Sequence, residues 1–240
     1  MPTSNPFFDF FNHDRPYIDP DPAKWPTAWK IIPWKSYPRS PSIPLPDPKT
    51  SDIPLQTAIL NRTSSREFSN KPLTTRELST LLFYSCGLTQ PHEDRNRSRR
   101  AHPSGGGLYP IETYLLVFHG SIEIKSGTYH YNVLDHSLEK LGDDDVTHLK
   151  MAFHYPWVAN TSLILLFSFR EGRTKPKYGN FAYKVGLIEA GHIGQNIYLN
   201  CAAMKLKCSA LGGMDFEKMH KVFDLDQNRE VLFYSIAVGR

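Results

Sequence analysis

A chain of 240 residues, 40% apolar and 22% charged with a formal net charge of +4, can bury an ordinary core, and is too weakly basic to favour nucleic acid over a small anionic ligand. No stretch approaches a membrane span of about eighteen uncharged apolar residues, and the N-terminal MPTSNPFFDFFNHDRP lacks a basic region ahead of an apolar run. Three cysteines, Cys86, Cys201 and Cys208, are too few and too unevenly spaced for a disulfide framework or a Cys-x-x-Cys metal site, so the expectation is a globular cytoplasmic protein with core thiols.

Most of the nineteen prolines fall before residue 55, which rules out long helices and central strands there. Interleaved Phe7, Phe8, Phe10, Phe11, Trp25, Trp29 and Trp34 argue for an extended arm, residues 1–50, packed on a surface. A domain over 51–240 follows. Its first helix ends near Arg62. In LTTRELSTLLFYSCG a second helix is announced by a capping box (Thr74, Glu77), a staple (Leu73, Leu78) and Gly87 at the C-cap. Residues 88–110 read as a polar loop, and 111–118 as a buried strand. A hairpin then turns near Asp135, and 161–169 is a second buried strand.

A long helix from about Asn180 to Met204 carries the small residues Gly186, Ala190, Gly191 and Gly194, a stripe suited to close packing against another helix. A short helix over 215–223, capped by Asp215, precedes a final buried strand over 230–239. The sum is an α+β fold, a sheet wrapped by helices, with no internal repeat.

Three places carry chemistry. NRTSSREF sets Arg62, Ser64 and Arg66 at alternate positions, so in an extended segment they share one face and can grip an anion. PSGGGLYPIE puts Gly105, Gly106 and Gly107 where φ must be positive or a ligand must approach closely. ALGG supplies Gly212 and Gly213, and Arg240 follows the last strand. Neither a G-x-G-x-x-G after a strand nor a Walker loop is present.

RTSSREF, PSGGGLYPIE, GTYHYNVLDHSLEKL, KYGNFAYKVGLIEAGHIGQNIYLN, ALGG and VLFYSIAVG stand in the order seen in the FMN-dependent nitroreductase superfamily. Over residues 51–240 the chain resembles more narrowly its SagB-type branch, the azoline dehydrogenases that form thiazoles and oxazoles in peptides, and the arm ending in IPLP is similar to what precedes that domain there. The resemblance implies a nitroreductase-like fold with a mainly antiparallel sheet, and a homodimer holding two FMN molecules at sites built from both chains. A cyclodehydratase and a peptide substrate are the implied partners.

Carried over residue by residue, Arg62 and Ser64 would hold the FMN phosphate with Arg240 approaching it, and Arg66 would face the pyrimidine end of the flavin. The loop Pro103, Ser104, Gly105, Gly106, Gly107 and Leu108 would lie along the rings, with Gly212 and Gly213 near N5 and the small-residue stripe at the dimer contact. Lys177 and Tyr178 match the branch's Lys-Tyr pair. There the ammonium would lower the phenol from its ordinary value near 10 so that Tyr178 removes the ring proton. The family's second arginine is Thr63 here. The arginines that often flank the Ala-Tyr step are Phe181 and Lys184, so the exact substrate is not inherited.

Rival readings stay open at this stage. RNRSRR (95–100) is the most basic run, yet it lacks interleaved aromatics and reads as a solvated loop, so no nucleic-acid partner is expected. Glu189-x-x-His192 and Glu217-x-x-His220 have di-iron spacing without the four long helices such a centre needs, so no metal is expected and His192 reads as a packed helix histidine. An NAD(P)H-dependent flavin reductase acting on nitroaromatics or quinones, and a non-catalytic FMN-binding protein, share the fold expectation.

Overall fold

In chain order the elements are β1 (Ser42–Pro44), α1 (Leu55–Asn61), α2 (Thr75–Cys86), β2 (Leu88–Gln90), β3 (Arg99–Arg100), β4 (Ile111–Val117), β5 (Gly127–Asn132), β6 (Ser137–Lys140), β7 (Leu163–Arg170), α3 (Glu171–Tyr178), α4 (Phe181–Met204), β8 (Lys207–Leu211), α5 (Phe216–Val222) and β9 (Glu230–Gly239). They come from a computed structural model that describes residues 16–19, 21–142 and 145–240. Seven strands form one sheet in the order β1-β6-β5-β4-β7-β9-β8, every neighbouring pair antiparallel. β2 and β3 form a small separate hairpin inside the stretch expected to be loop.

Period-two alternation sorts the central strands between two cores. Ile111, Leu115, Val117, Leu163, Leu165, Phe167 and Phe169 face a cluster shared with Leu78, Leu81 and Leu82 of α2 and with Ala190, Ile193 and Ile197 of α4. Tyr114, Leu116, Ile164 and Leu166 face the other cluster, which Met219 and Phe223 close from the side of α5. On β9 the phase changes: Leu232 and Ala237 lie in the same cluster although five positions separate them in sequence. An extra residue explains this, because Phe167 pairs with Tyr234 and Ser168 with Leu232, leaving Phe233 as a bulge. The shift aims Glu230 at Ser168 and Tyr114, to which its carboxylate is bonded at 2.6 Å each.

Helix α2 begins as its sequence dictates. Thr74 Oγ1 accepts from the Glu77 amide at 3.2 Å, and the Thr74 amide donates to the Glu77 carboxylate at 2.8 Å. Gly87 caps the far end in an extended conformation, where a Cβ would sit 2.6 Å from Phe83 Cα, so space rather than handedness calls for glycine.

Two glycines of the small-residue stripe of α4 pack within their own chain. Gly186 and Gly194 face the sheet: a Cβ at Gly186 would meet the Phe169 ring at 2.5 Å, and one at Gly194 the Tyr234 hydroxyl at 2.8 Å. Gly191 is exposed with open space around it. The helix crosses two aromatic side chains, and the glycines make room for rings instead of for a second backbone.

Residues 1–15 and 20, including Phe7, Phe8, Phe10 and Phe11, lie outside the described residues. The described remainder of the proline-rich segment makes two single 3-10 turns, Pro22–Lys24 and Thr27–Trp29, then the edge strand β1, where Pro44 costs no central ladder bond. Ile32 and Leu45 are buried, and Trp34 packs on the first cluster. All three cysteines are buried free thiols; burial pushes Cys86 up to about 11, and Cys201 is raised by its hydrogen bond with Cys208 and by burial.

Candidate active site

The glycine loop is a tight turn held at both ends. Gly106 and Gly107 have φ of 67° and 66°, and the Ser104 hydroxyl accepts from the Tyr109 amide at 2.9 Å, closing the turn behind them. Upstream, His102 Nε2 meets Glu189 Oε1 of α4 at 3.3 Å with both side chains sealed from solvent. Asn196 donates from α4 to the Ala101 carbonyl at 3.4 Å. Downstream, Arg173 binds the Tyr109 carbonyl, the Glu112 carboxylate and the Pro33 carbonyl, tying loop, sheet and proline-rich segment together. Leu108 is buried in the core, so toward the outside it offers only backbone.

Lys177 and Tyr178 end α3. Gly179 at φ 54° lets the chain turn sharply into α4, which leaves the pair beneath the loop. A Cβ on Gly106 would sit 2.7 Å from the Tyr178 hydroxyl and 3.2 Å from Lys177 Nζ. Both side chains are buried, at 3% exposure for Lys177 and 7% for Tyr178, while Gly106 itself is exposed. The Lys177 ammonium lies 3.5 Å from the centre of the Trp25 ring. Nothing in the local sequence pointed to Trp25, because this contact spans most of the chain.

A second cluster forms around Tyr198 of α4. Its hydroxyl accepts from the Ala210 amide at 2.8 Å and bonds Ser64 Oγ at 3.0 Å, and its ring lies 5.6 Å from the Arg62 guanidinium. Arg62 and Ser64 therefore do share a face, and the Ser65 amide on the opposite side bonds the Cys208 carbonyl at 2.9 Å, holding the segment along β8. Arg66 and Gly212 are exposed, and Gly213 packs against His154, whose Nδ1 would be 2.6 Å from a Cβ there. Arg240 is engaged elsewhere: both Glu77 carboxylate oxygens and the Pro72 carbonyl bind its guanidinium.

The two clusters do not meet in one chain. Gly105 touches Val185, and Tyr198 lies thirteen residues further along α4, or about 20 Å at the helical rise. Between them α4 exposes Leu187 and Ile188, and Leu55, Ile59 and Leu60 are exposed on α1.

A layer of buried charge supports the loop from the sheet. His130 lies between Glu139 at 2.8 Å and Glu112 at 3.3 Å, Arg173 binds Glu112, and Lys35 reaches Glu230 at 2.7 Å. Burial alone would raise Glu112, but Arg173 and His130 outweigh it and hold its carboxyl well below the usual range. Burial likewise opposes charge on His130, yet Glu112 and Glu139 raise it above its ordinary 6.5. The RNRSRR run is only partly the solvated loop expected, for Arg100 is buried between the Trp34 and Tyr109 rings, 5.0 Å from each. His192 is exposed in the single chain; Glu189 pairs with His102, and Glu217 with Lys221, so neither E-x-x-H step converges with the other. A cleft of about 380 Å³ opens beside Gly106, Gly107, Ser104 and Arg99. A larger one of about 720 Å³, between Pro33, Arg170 and Glu230, contains none of the residues expected at the site.

Bare, left-handed backbone over a buried ammonium and phenol suits a flat ring, and a cation with a neighbouring hydroxyl suits an anionic tail. A model of the nitroreductase family matches residues 59–240. The chain belongs to the nitroreductase family. This nitroreductase-family chain is 29% identical to a nitroreductase homologue of Methanocaldococcus jannaschii over 82% of its own length and 96% of the relative's. It is 26% identical to the microcin B17-processing protein McbC of Escherichia coli, over 71% of this chain and 68% of that one. The crystal structure of a nitroreductase homologue from Ralstonia eutropha superposes with a TM-score of 0.71 at 26% identity, covering 87% of this chain and 93% of that one. A homologue from Desulfovibrio desulfuricans, solved in complex with FMN, shares the fold at a TM-score of 0.53 and 18% identity, with 79% and 87% covered. The α+β fold with a mainly antiparallel sheet, expected from the sequence, is the nitroreductase fold.

Proposed function

We propose that this nitroreductase-family oxidoreductase uses FMN to oxidise azoline rings in a peptide to azoles. The observation that carries the reading is the meeting of Lys177 and Tyr178 beneath the bare backbone of Gly106. Similarity to a microcin-processing protein supports a peptide substrate. When bound, FMN supplies a hydride acceptor at N5. The protein's task is then to remove the proton from the adjacent ring carbon as the hydride leaves. Tyr178 takes that proton as general base, with the Lys177 ammonium beside it.

Arg62 and Ser64 would hold the phosphate, Arg66 would serve the pyrimidine end, and the backbone of Gly105, Gly106 and Gly107 would lie along the rings. Gly212 and Gly213 would offer backbone amides to the flavin. Because the two clusters stand about 20 Å apart on α4, a homodimer completes the site, two antiparallel copies of the helix bringing one chain's Arg62 end to the other's glycine loop. Exposed Leu187 and Ile188 are the apolar surface available for that contact. A cyclodehydratase that supplies the azoline is the partner expected.

A second reading, an NAD(P)H-dependent reductase of nitroaromatics or quinones, is favoured by the near-complete coverage of the Methanocaldococcus nitroreductase homologue. The visible spectrum of purified protein, followed by anaerobic mixing with NADPH and separately with a thiazoline peptide, separates the two. Bleaching by the thiazoline alone is expected; bleaching by NADPH alone selects the reductase, and a colourless protein that takes up no FMN ends both.

A further inference from the structure

Trp25 belongs to the segment that composition alone reads as a packed arm, yet its ring faces the ammonium of Lys177 at 3.5 Å. The mount is rigid. Pro22 and Pro26 flank it and restrict the backbone on either side. Asp21 caps the first 3-10 turn by accepting from the Ala23 amide at 2.9 Å, and the indole N–H donates to the Asp19 carbonyl at 2.6 Å. The following turn, Thr27–Trp29, packs on α3, the helix that ends in Lys177 and Tyr178. The proline content thus has a local purpose: it carries one aromatic face to one buried cation.

We propose that Trp25 is a positioning residue that holds the Lys177 ammonium against Gly106 and Tyr178. This rests on the reading of Lys177 and Tyr178 as the proton-handling pair. Burying an ammonium is costly, and an indole face offsets that cost through its quadrupole. It does so while leaving the ammonium charged. The Tyr178 ring lies 5.4 Å away from the same ammonium on its own side. Lys177 thus meets the Trp25 ring, supplied from 152 positions earlier in the chain, close to its own neighbour Tyr178 and the glycine turn.

The test uses the full chain with ¹³C-labelled lysine and the variants Trp25→Leu, Trp25→Phe and Lys177→Met. In the wild type one lysine ε-methylene resonance is expected upfield, shifted by the indole ring current. Lys177→Met removes it, Trp25→Leu returns it to the ordinary position, and Trp25→Phe keeps part of the shift. Turnover of a thiazoline peptide is expected to fall about tenfold in Trp25→Leu, the loss matching a desolvated cation–π contact, and to recover largely in Trp25→Phe. Circular dichroism and retained flavin absorbance confirm that Trp25→Leu is folded and loaded. A wild-type spectrum with no upfield lysine overturns the proposal. So does undiminished turnover in Trp25→Leu when Lys177→Met is inactive, a result that leaves the azoline reading standing. If wild-type protein ignores the thiazoline while the upfield resonance disappears in Trp25→Leu, the placement of Lys177 holds and the azoline reading falls.

Discussion

Gly106 and Gly107 share a backbone conformation, with φ of 67° and 66°, but not an environment, and alanine at each separates strain from obstruction. A left-handed non-glycine residue costs about 1–2 kcal/mol, so both variants should lose that much stability, or about 2–4 °C in melting temperature for each kcal/mol at this chain length. The added methyl of Gly106→Ala falls 2.7 Å from the Tyr178 hydroxyl and 3.2 Å from Lys177 Nζ, the far ends of two flexible side chains that can give way without unfolding the protein. In Gly107→Ala the nearest atom is Arg99 Nη1 at 3.7 Å, an ordinary contact. A displacement of about 1 Å at the reacting group can cost on the order of 100-fold in rate. The expectation is equal destabilisation in denaturant titrations, with kcat for the thiazoline peptide about 100-fold lower in Gly106→Ala than in Gly107→Ala, in neither case through loss of fold. Equal kcat in the two variants would refute the placement of Lys177 and Tyr178 beneath Gly106.

Replacing Arg62 by Ala removes a charged hydrogen-bond donor of about 1.5–3 kcal/mol, so FMN affinity by fluorescence titration should weaken by about ten- to a hundredfold. Changing Leu187 and Ile188 together to Glu should convert a dimer into a monomer in light scattering and abolish flavin retention; a monomer that stays yellow contradicts a site built from two chains. Stability should depend on pH at both ends of the Glu112–His130–Glu139 chain. His130, raised above 6.5, contributes stability that is present below that value and lost as pH rises through its folded pKa. Glu112 and Glu139, held below the ordinary 4.5, contribute stability that is present above it and lost as pH falls through their folded values. Urea midpoints across that range check this, and His130→Asn should flatten the alkaline side.

The capping box of α2, the hairpin at Asp135 and the strands over 111–117 and 163–170 were legible because each depends on neighbours a few residues away. A Thr and a Glu three positions apart satisfy the helix end by themselves, and period-two alternation declares a strand before its partners are known. Arg62, Ser64 and the glycine loop stood out in the sequence as residue types. Their spacing about 20 Å apart on α4 was not, since it depends on which face of one helix each segment meets. Other placements came from contacts distant along the chain. The α4 glycines make room for Phe169 and Tyr234, Arg100 is buried between rings, His192 is exposed, and Arg240 is bound to Glu77. Each outcome was set by a partner more than fifteen positions away or by the side of the helix that the sheet occupies.

By itself the sequence determined the helices over 75–86 and 181–204 and the alternation of the central strands, because short-range hydrogen bonding and side-chain periodicity are properties of the chain, whereas the strands over 88–90, 99–100 and 207–211 and the helix over 171–178 were not legible in it. Tertiary structure alone decided that Trp25 covers Lys177, that Glu189 pairs with His102 and that the Phe233 bulge turns Glu230 toward Tyr114. Contacts between residues so distant along the chain form only when the sheet and α4 have set their relative position, and local pattern carries no record of that geometry.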